Sequence, residues 1–147
     1  MPNITLPDGS VRQFETATTG AEIAASIGEG LARAAVAVKV DGQMYDLGRD
    51  IEDDVQLEIV TRDSDDGLEL LRHDAAHVLA EAVKELWPDT QVTIGPAIEN
   101  GFYYDFSREE PFTEDDRATI EKRMQEIVDR DEEILREVWD RDEAVGF

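Results

Sequence analysis

The chain has 147 residues and 41% hydrophobic content, enough for one ordinary domain or two small ones with a core. Its 36 acidic residues against 14 basic ones give a formal charge of -22, which disfavours polyanion contact by this chain alone. With no cysteine, disulfides, a thiol nucleophile and any Cys-ligated zinc are excluded within these residues, and a cytoplasmic setting is expected.

Met1-Pro2-Asn3-Ile4 has no basic region and no apolar core, so it does not read as a signal peptide. No apolar run approaches the ~20 residues of a membrane span. Asn3-Ile4-Thr5-Leu6 and Val11-Arg12-Gln13-Phe14 alternate around the turn cluster Pro7-Asp8-Gly9-Ser10, a hairpin signal. Thr19 suits the cap of a short helix from Gly20 to Ile27, with Gly28 as its stop. Ala35 to Val40 reads as a strand. Asp41-Gly42 is a hairpin turn, and Gln43 to Leu47 returns. Val55 to Val60 closes with clean alternation. The order β-β-α-β-β-β predicts a β-grasp over residues 1–62.

The polar stretch Thr61 to Gly67 reads as a linker. A long helix is expected from Asp66 to Leu86, stopped by Trp87-Pro88. Its apolar stripe is Leu71, Ala75, Val78, Leu79, Ala82, Val83 and Leu86. Strands are expected at Gln91–Ile94 and Gly101–Phe106, joined by a loop over 95–100. Alternation puts Phe102, Tyr104 and Phe106 on a packed face, with Tyr103 and Asp105 opposite. Thr113 caps a further helix whose apolar positions are Ile120, Met124, Ile127 and Val128. A short strand at Ile134–Trp139 and a helix opening at Asp142 follow. An ending inside an element reads as a piece of something longer.

His73 and His77 are the only histidines, four residues apart on the long helix and therefore on one face. Helical phase puts them nearly opposite the apolar stripe, beside Ala80 and Lys84. Three readings stay open: paired metal ligands, acid/base or positioning groups in a hydrolytic cleft, and plain surface histidines. Zinc needs three or four protein ligands, and only carboxylates could complete such a site here. Asp74 points about 100° away, so no metal site is expected within these residues. Asp74 also stands where HExxH proteases carry their glutamate base. Gly95-Pro96 and Gly101 lack the pattern of a phosphate loop.

Arg72-His73-Asp74-Ala75-Ala76-His77-Val78-Leu79-Ala80-Glu81-Ala82-Val83, followed by Ile94-Gly95-Pro96-Ala97-Ile98-Glu99-Asn100-Gly101-Phe102-Tyr103-Tyr104-Asp105-Phe106, resembles the N-terminal editing region of bacterial threonyl-tRNA synthetases. Residues 1–62 resemble the TGS domain that opens those enzymes, a ubiquitin-like β-grasp. The resemblance implies an α+β chain. A TGS domain at 1–62 would precede a partial α+β editing domain at 63–147, with the HxxxH helix and an antiparallel sheet.

Family members attach threonine to tRNA(Thr) using ATP and hydrolyse mischarged seryl-tRNA(Thr). The resemblance maps His73 and His77 onto the editing pocket. From its position, Lys84 is expected to contact the tRNA end, and Tyr104 and Asp105, which follow the motif, to support the pocket wall. The family's CxxxH motif and its neighbouring Asp do not occur in this sequence. The resemblance also assigns ATP, Mg and Zn to a catalytic core outside it. The implied parent is a homodimer that binds tRNA(Thr). This piece is expected to be monomeric, free of membranes, and inactive alone. The rival reading is a regulatory RNA- or protein-binding module built on the β-grasp.

Overall fold

The computed structural model describes residues 1–132 and 137–146. Contacts gather Met1–Ile59 into one unit and Val60–Glu132 into a second. The architecture is α+β.

In the first unit, local turn chemistry sets the strands. β1 (Asn3–Thr5) and β2 (Val11–Gln13) pair antiparallel, with Ile4 opposite Arg12. Between them Gly9 takes φ 81°, and the Asp8 carboxylate accepts from the Ser10 amide at 2.9 Å and hydroxyl at 2.6 Å. These bonds, the hydroxyl's foremost, hold the Asp8 carboxyl below its ordinary range. β3 (Thr18–Thr19) pairs with β6 (Asp50–Ile51). Thr19 and Glu22 form a reciprocal capping box at the start of α1 (Gly20–Ile27). The chain is extended at Gly28 and then re-enters a short helix, α2 (Glu29–Ala34). That segment carried no sequence assignment; its six residues are too few for a periodic signal.

β4 (Ala35–Val40) and β5 (Gln43–Tyr45) follow, joined by Asp41 and Gly42 at φ 48° and 83°. The return strand is shorter than expected and ends at Tyr45. β7 (Val55–Thr61) enters the middle of a five-stranded sheet ordered β2-β1-β7-β4-β5. It runs parallel to β1, with Ile4 opposite Val55. Asp54 fastens this register, because its carboxylate accepts from the Asn3 amide at 2.7 Å. The core collects Ile4, Leu6, Ile23, Val38, Val40, Ile51 and Leu57. Fully burying one such side chain contributes about 1.5–3 kcal/mol.

The second unit opens on α3 (Asp65–Leu86), capped by the Ser64 hydroxyl, which accepts from the Gly67 amide at 3.1 Å. β8 (Gln91–Ile94) pairs antiparallel with β11 (Asp105–Ser107). Between them β9 (Ala97–Ile98) pairs with β10 (Gly101–Phe102). The single strand expected over 101–106 is therefore broken at Tyr103-Tyr104, and the expected loop at 95–100 contains a strand. The break coincides with the point where the Tyr104 ring lies over Gly95.

Thr113 and Asp116 form a second capping box, on α4 (Glu114–Asp129). Ile120 and Ile127 are buried against Ala82 and Val83 of α3, with Met124 partly buried beside them. Val128, expected in that stripe, is 58% exposed. A charged clasp also ties the two helices. Glu85 accepts from Arg123 at 2.9 Å and from Arg130 at 2.7 and 2.8 Å.

The helix expected near the end of the chain is present as α5 (Arg141–Gly146). Ile134, Leu135 and Arg136 of the expected strand lie outside the described residues. Glu137–Trp139 are described and form no strand.

Candidate functional site

α3 positions both histidines. Ser64 satisfies a free amide at its start, and Asp65 and Asp66 face the positive end of the helix dipole. Leu, Ala and Val at helical spacing supply the packed sides. His73 and His77 then stand one turn apart, with ring centroids 4.6 Å apart and planes tilted by 54°. Both are exposed.

The structure redraws the helix faces. Leu71, read as apolar stripe, is 43% exposed, whereas Ala76, outside that stripe, is fully buried. The reason is that α3 has two packed sides, one against α4 and one against β8, β9 and β10. Glu85, whose carboxylate reaches α4, lies about 180° from Ala76 around the helix. Ala76 lies about 20° from Val83, on the same packed face of the helix. His73 and His77 lie about 60° and 100° from Ala76, on the margin of the packed face. They border a packed layer rather than standing on a bare helix surface.

Lys84 lies on the same side of α3. Its ammonium donates to the carbonyls of Pro88 at 2.6 Å and Thr90 at 3.1 Å. It thereby braces the turn that follows the helix. Tyr104 is partly buried and stacks on Phe106 with centroids 4.8 Å apart. Asp105 is exposed, and its backbone carbonyl accepts from the Thr93 hydroxyl. The structure thus brings His73 and His77 together, while Lys84, Tyr104 and Asp105 each have a structural partner. Among the described residues no three His, Cys, Asp or Glu side chains are placed to share a metal ion.

Sequence reasoning passed over Arg108. Its guanidinium lies over both the Trp87 and Phe112 rings, 4.8 and 4.5 Å from their centroids. An open groove of about 720 Å³ runs beside it, lined also by Trp87, Thr90, Gln91 and Ser107. Neither histidine lines that groove. No sequence signal joins Trp87 to Phe112, because 25 residues separate them.

Residues 2–61 match the model of the TGS domain family. Over its full length the chain is 66% identical to a threonine–tRNA ligase of Paramagnetospirillum magneticum, 63% to one of Acidiphilium cryptum and 60% to one of Gluconobacter oxydans. It spans 23% of the length of each of these relatives. Among the described residues no helix is long and apolar enough to cross a membrane. The chain carries a TGS domain at residues 2–61 and is similar throughout to the N-terminal region of threonine–tRNA ligases.

Proposed function

We propose that this chain serves as the N-terminal region of a threonine–tRNA ligase and contributes half of a hydrolytic editing site for seryl-tRNA(Thr). The observation that carries the reading is the exposed His73–His77 pair at 4.6 Å, set within a sequence 60–66% identical to such ligases. The need for such a site is energetic. Serine lacks one methyl of threonine, and a pocket discriminates on one methyl by only roughly 1–3 kcal/mol.

A neutral imidazole offers one donor and one acceptor. One ring of the pair can take the proton of a water attacking the seryl ester carbonyl, while its neighbour donates to the terminal ribose. The products are serine and free tRNA. The remaining groups of the site belong to the longer protein, as do those that would hold ATP, Mg and Zn for ligation in a homodimeric enzyme of the cytoplasm. The chain's acidity fits this division. With a charge of -22, it leaves tRNA affinity to other parts of the enzyme and limits nonspecific RNA contact.

The test is seryl-tRNA(Thr) deacylation by the full-length protein carrying His73→Ala or His77→Ala. Loss of hydrolysis with threonine ligation retained supports the reading. Unchanged hydrolysis in both variants removes the pair from the mechanism and leaves the binding-module alternative in its place.

A further inference from the structure

This inference rests on the editing reading and extends it to a residue with no side chain of its own. Gly95 sits at the corner between β8 and β9. Its φ lies outside the left-handed region, so backbone conformation alone does not demand glycine. Space does. A β-carbon built on Gly95 would fall against Cδ2, Cε2 and Cγ of the Tyr104 ring.

Nor is the ring free to swing aside. It stacks on Phe106, which meets Phe112 edge-on at 5.7 Å, and Phe112 in turn meets Trp87 at 5.5 Å. Displacing Tyr104 therefore disturbs a packed aromatic series or moves the corner itself. The corner leads directly into β9, and β9 and β10 both pack on α3. The packed strip of that helix contains the fully buried Ala76. His73 and His77 stand on the border of that strip.

We infer that Gly95 is a positioning residue for the editing chemistry. By seating the Tyr104 ring on the backbone of the β8–β9 corner, it holds the β9–β10 hairpin against α3 and sets the wall beside His73 and His77. A methyl at Gly95 displaces that wall. Misplacement of a reacting group by about 1 Å costs up to roughly a hundredfold in rate.

The experiment is a double-mutant cycle in the full-length ligase. Gly95→Ala is expected to lower kcat/KM for seryl-tRNA deacylation by roughly tenfold to a hundredfold, with threonine ligation unchanged. In a Tyr104→Ala background the same change is expected to cost nothing further, because the collision is gone. Equal losses in both backgrounds, or no loss in the first, overturn the inference. His73→Ala and His77→Ala run in parallel. If they lose hydrolysis while Gly95→Ala does not, the Gly95 inference fails alone.

If neither histidine variant loses hydrolysis, the editing reading fails. The placement claim is then decided by NMR. The 147-residue chain has only two histidines, so their ring signals are few and separable. Both should shift in Gly95→Ala and return toward their Tyr104→Ala positions in the double variant. Unshifted rings in Gly95→Ala would sink it.

Discussion

Ile4, Ile23 and Val38 of the first unit are fully buried, whereas in the second unit Ile94 is 59% and Ile98 49% exposed. The contrast follows from how each unit uses its strands. The first assembles five of them into one sheet, with α1 packed on β4. The second has two separate two-stranded ladders against α3. A two-stranded ladder offers little area to cover a helix, so apolar residues remain on its outer face. The clasp of Glu85 with Arg123 and Arg130 supplements packing between α3 and α4.

The largest test of this contrast is Ile23→Ala. It should destabilise the first unit by about 2–5 kcal/mol, since it empties a fully packed position. Amide exchange should quicken in β1, β4 and β7 while α3 and α4 keep their protection. A uniform rise across both units would show one cooperative structure and erase the comparison.

Gly67→Ala acts on the second unit and sets two principles against each other. Helix propensity favours alanine by about 1 kcal/mol. Here, though, the new β-carbon would collide with the Thr61 carbonyl, a backbone group that cannot rotate away. Overpacking should win, with a net loss of about 1–3 kcal/mol measured by urea denaturation. A stabilised variant would show that the start of α3 yields more readily than its packing implies.

The two capping boxes permit a matched comparison. Thr19→Ala and Thr113→Ala should each cost about 1 kcal/mol, because the same bond, donated by a backbone amide to the hydroxyl oxygen, is lost in both units. Unequal losses by thermal denaturation would show that one helix leans more on tertiary packing than on its cap.

The smallest effect is electrostatic. Hydrogen bonds from Arg130, then Arg123, pull the Glu85 carboxyl from 4.5 down to about 2. Because the folded value is depressed, this contribution is present above pH 4.5 and is lost as pH falls toward 2. The group is partly exposed, so salt screens the effect. Glu85→Gln should flatten the acid slope of stability between those values, and high salt should shrink the difference. An unchanged slope in Glu85→Gln would remove the clasp from the account.

Much of the fold was legible because it is local. The bounds of α1, its Thr19 cap, the Asp41-Gly42 turn and the Thr113 cap all involve groups within about four residues of each other. The HxxxH spacing likewise specified a shared face for His73 and His77 whatever their surroundings. The strand over 101–106 was misread because alternation reports side-chain direction and not ladder continuity. Burial does alternate through Phe102, Tyr103, Tyr104, Asp105 and Phe106, yet the hydrogen-bonded ladder breaks in the middle.

By itself, the sequence determined the Thr19 and Thr113 caps, the Asp41-Gly42 turn and the pairing of the two histidines. These depend on bonds and angles that a few neighbouring residues control. Only the tertiary structure decided that Ala76 rather than Leu71 is covered, that Lys84 closes the turn at Pro88 and Thr90, and that Tyr104 rests on Gly95. It also decided the partners of Glu85, which lie 38 and 45 residues away. Such contacts are chosen when whole faces pack, and no local pattern states which face will meet which.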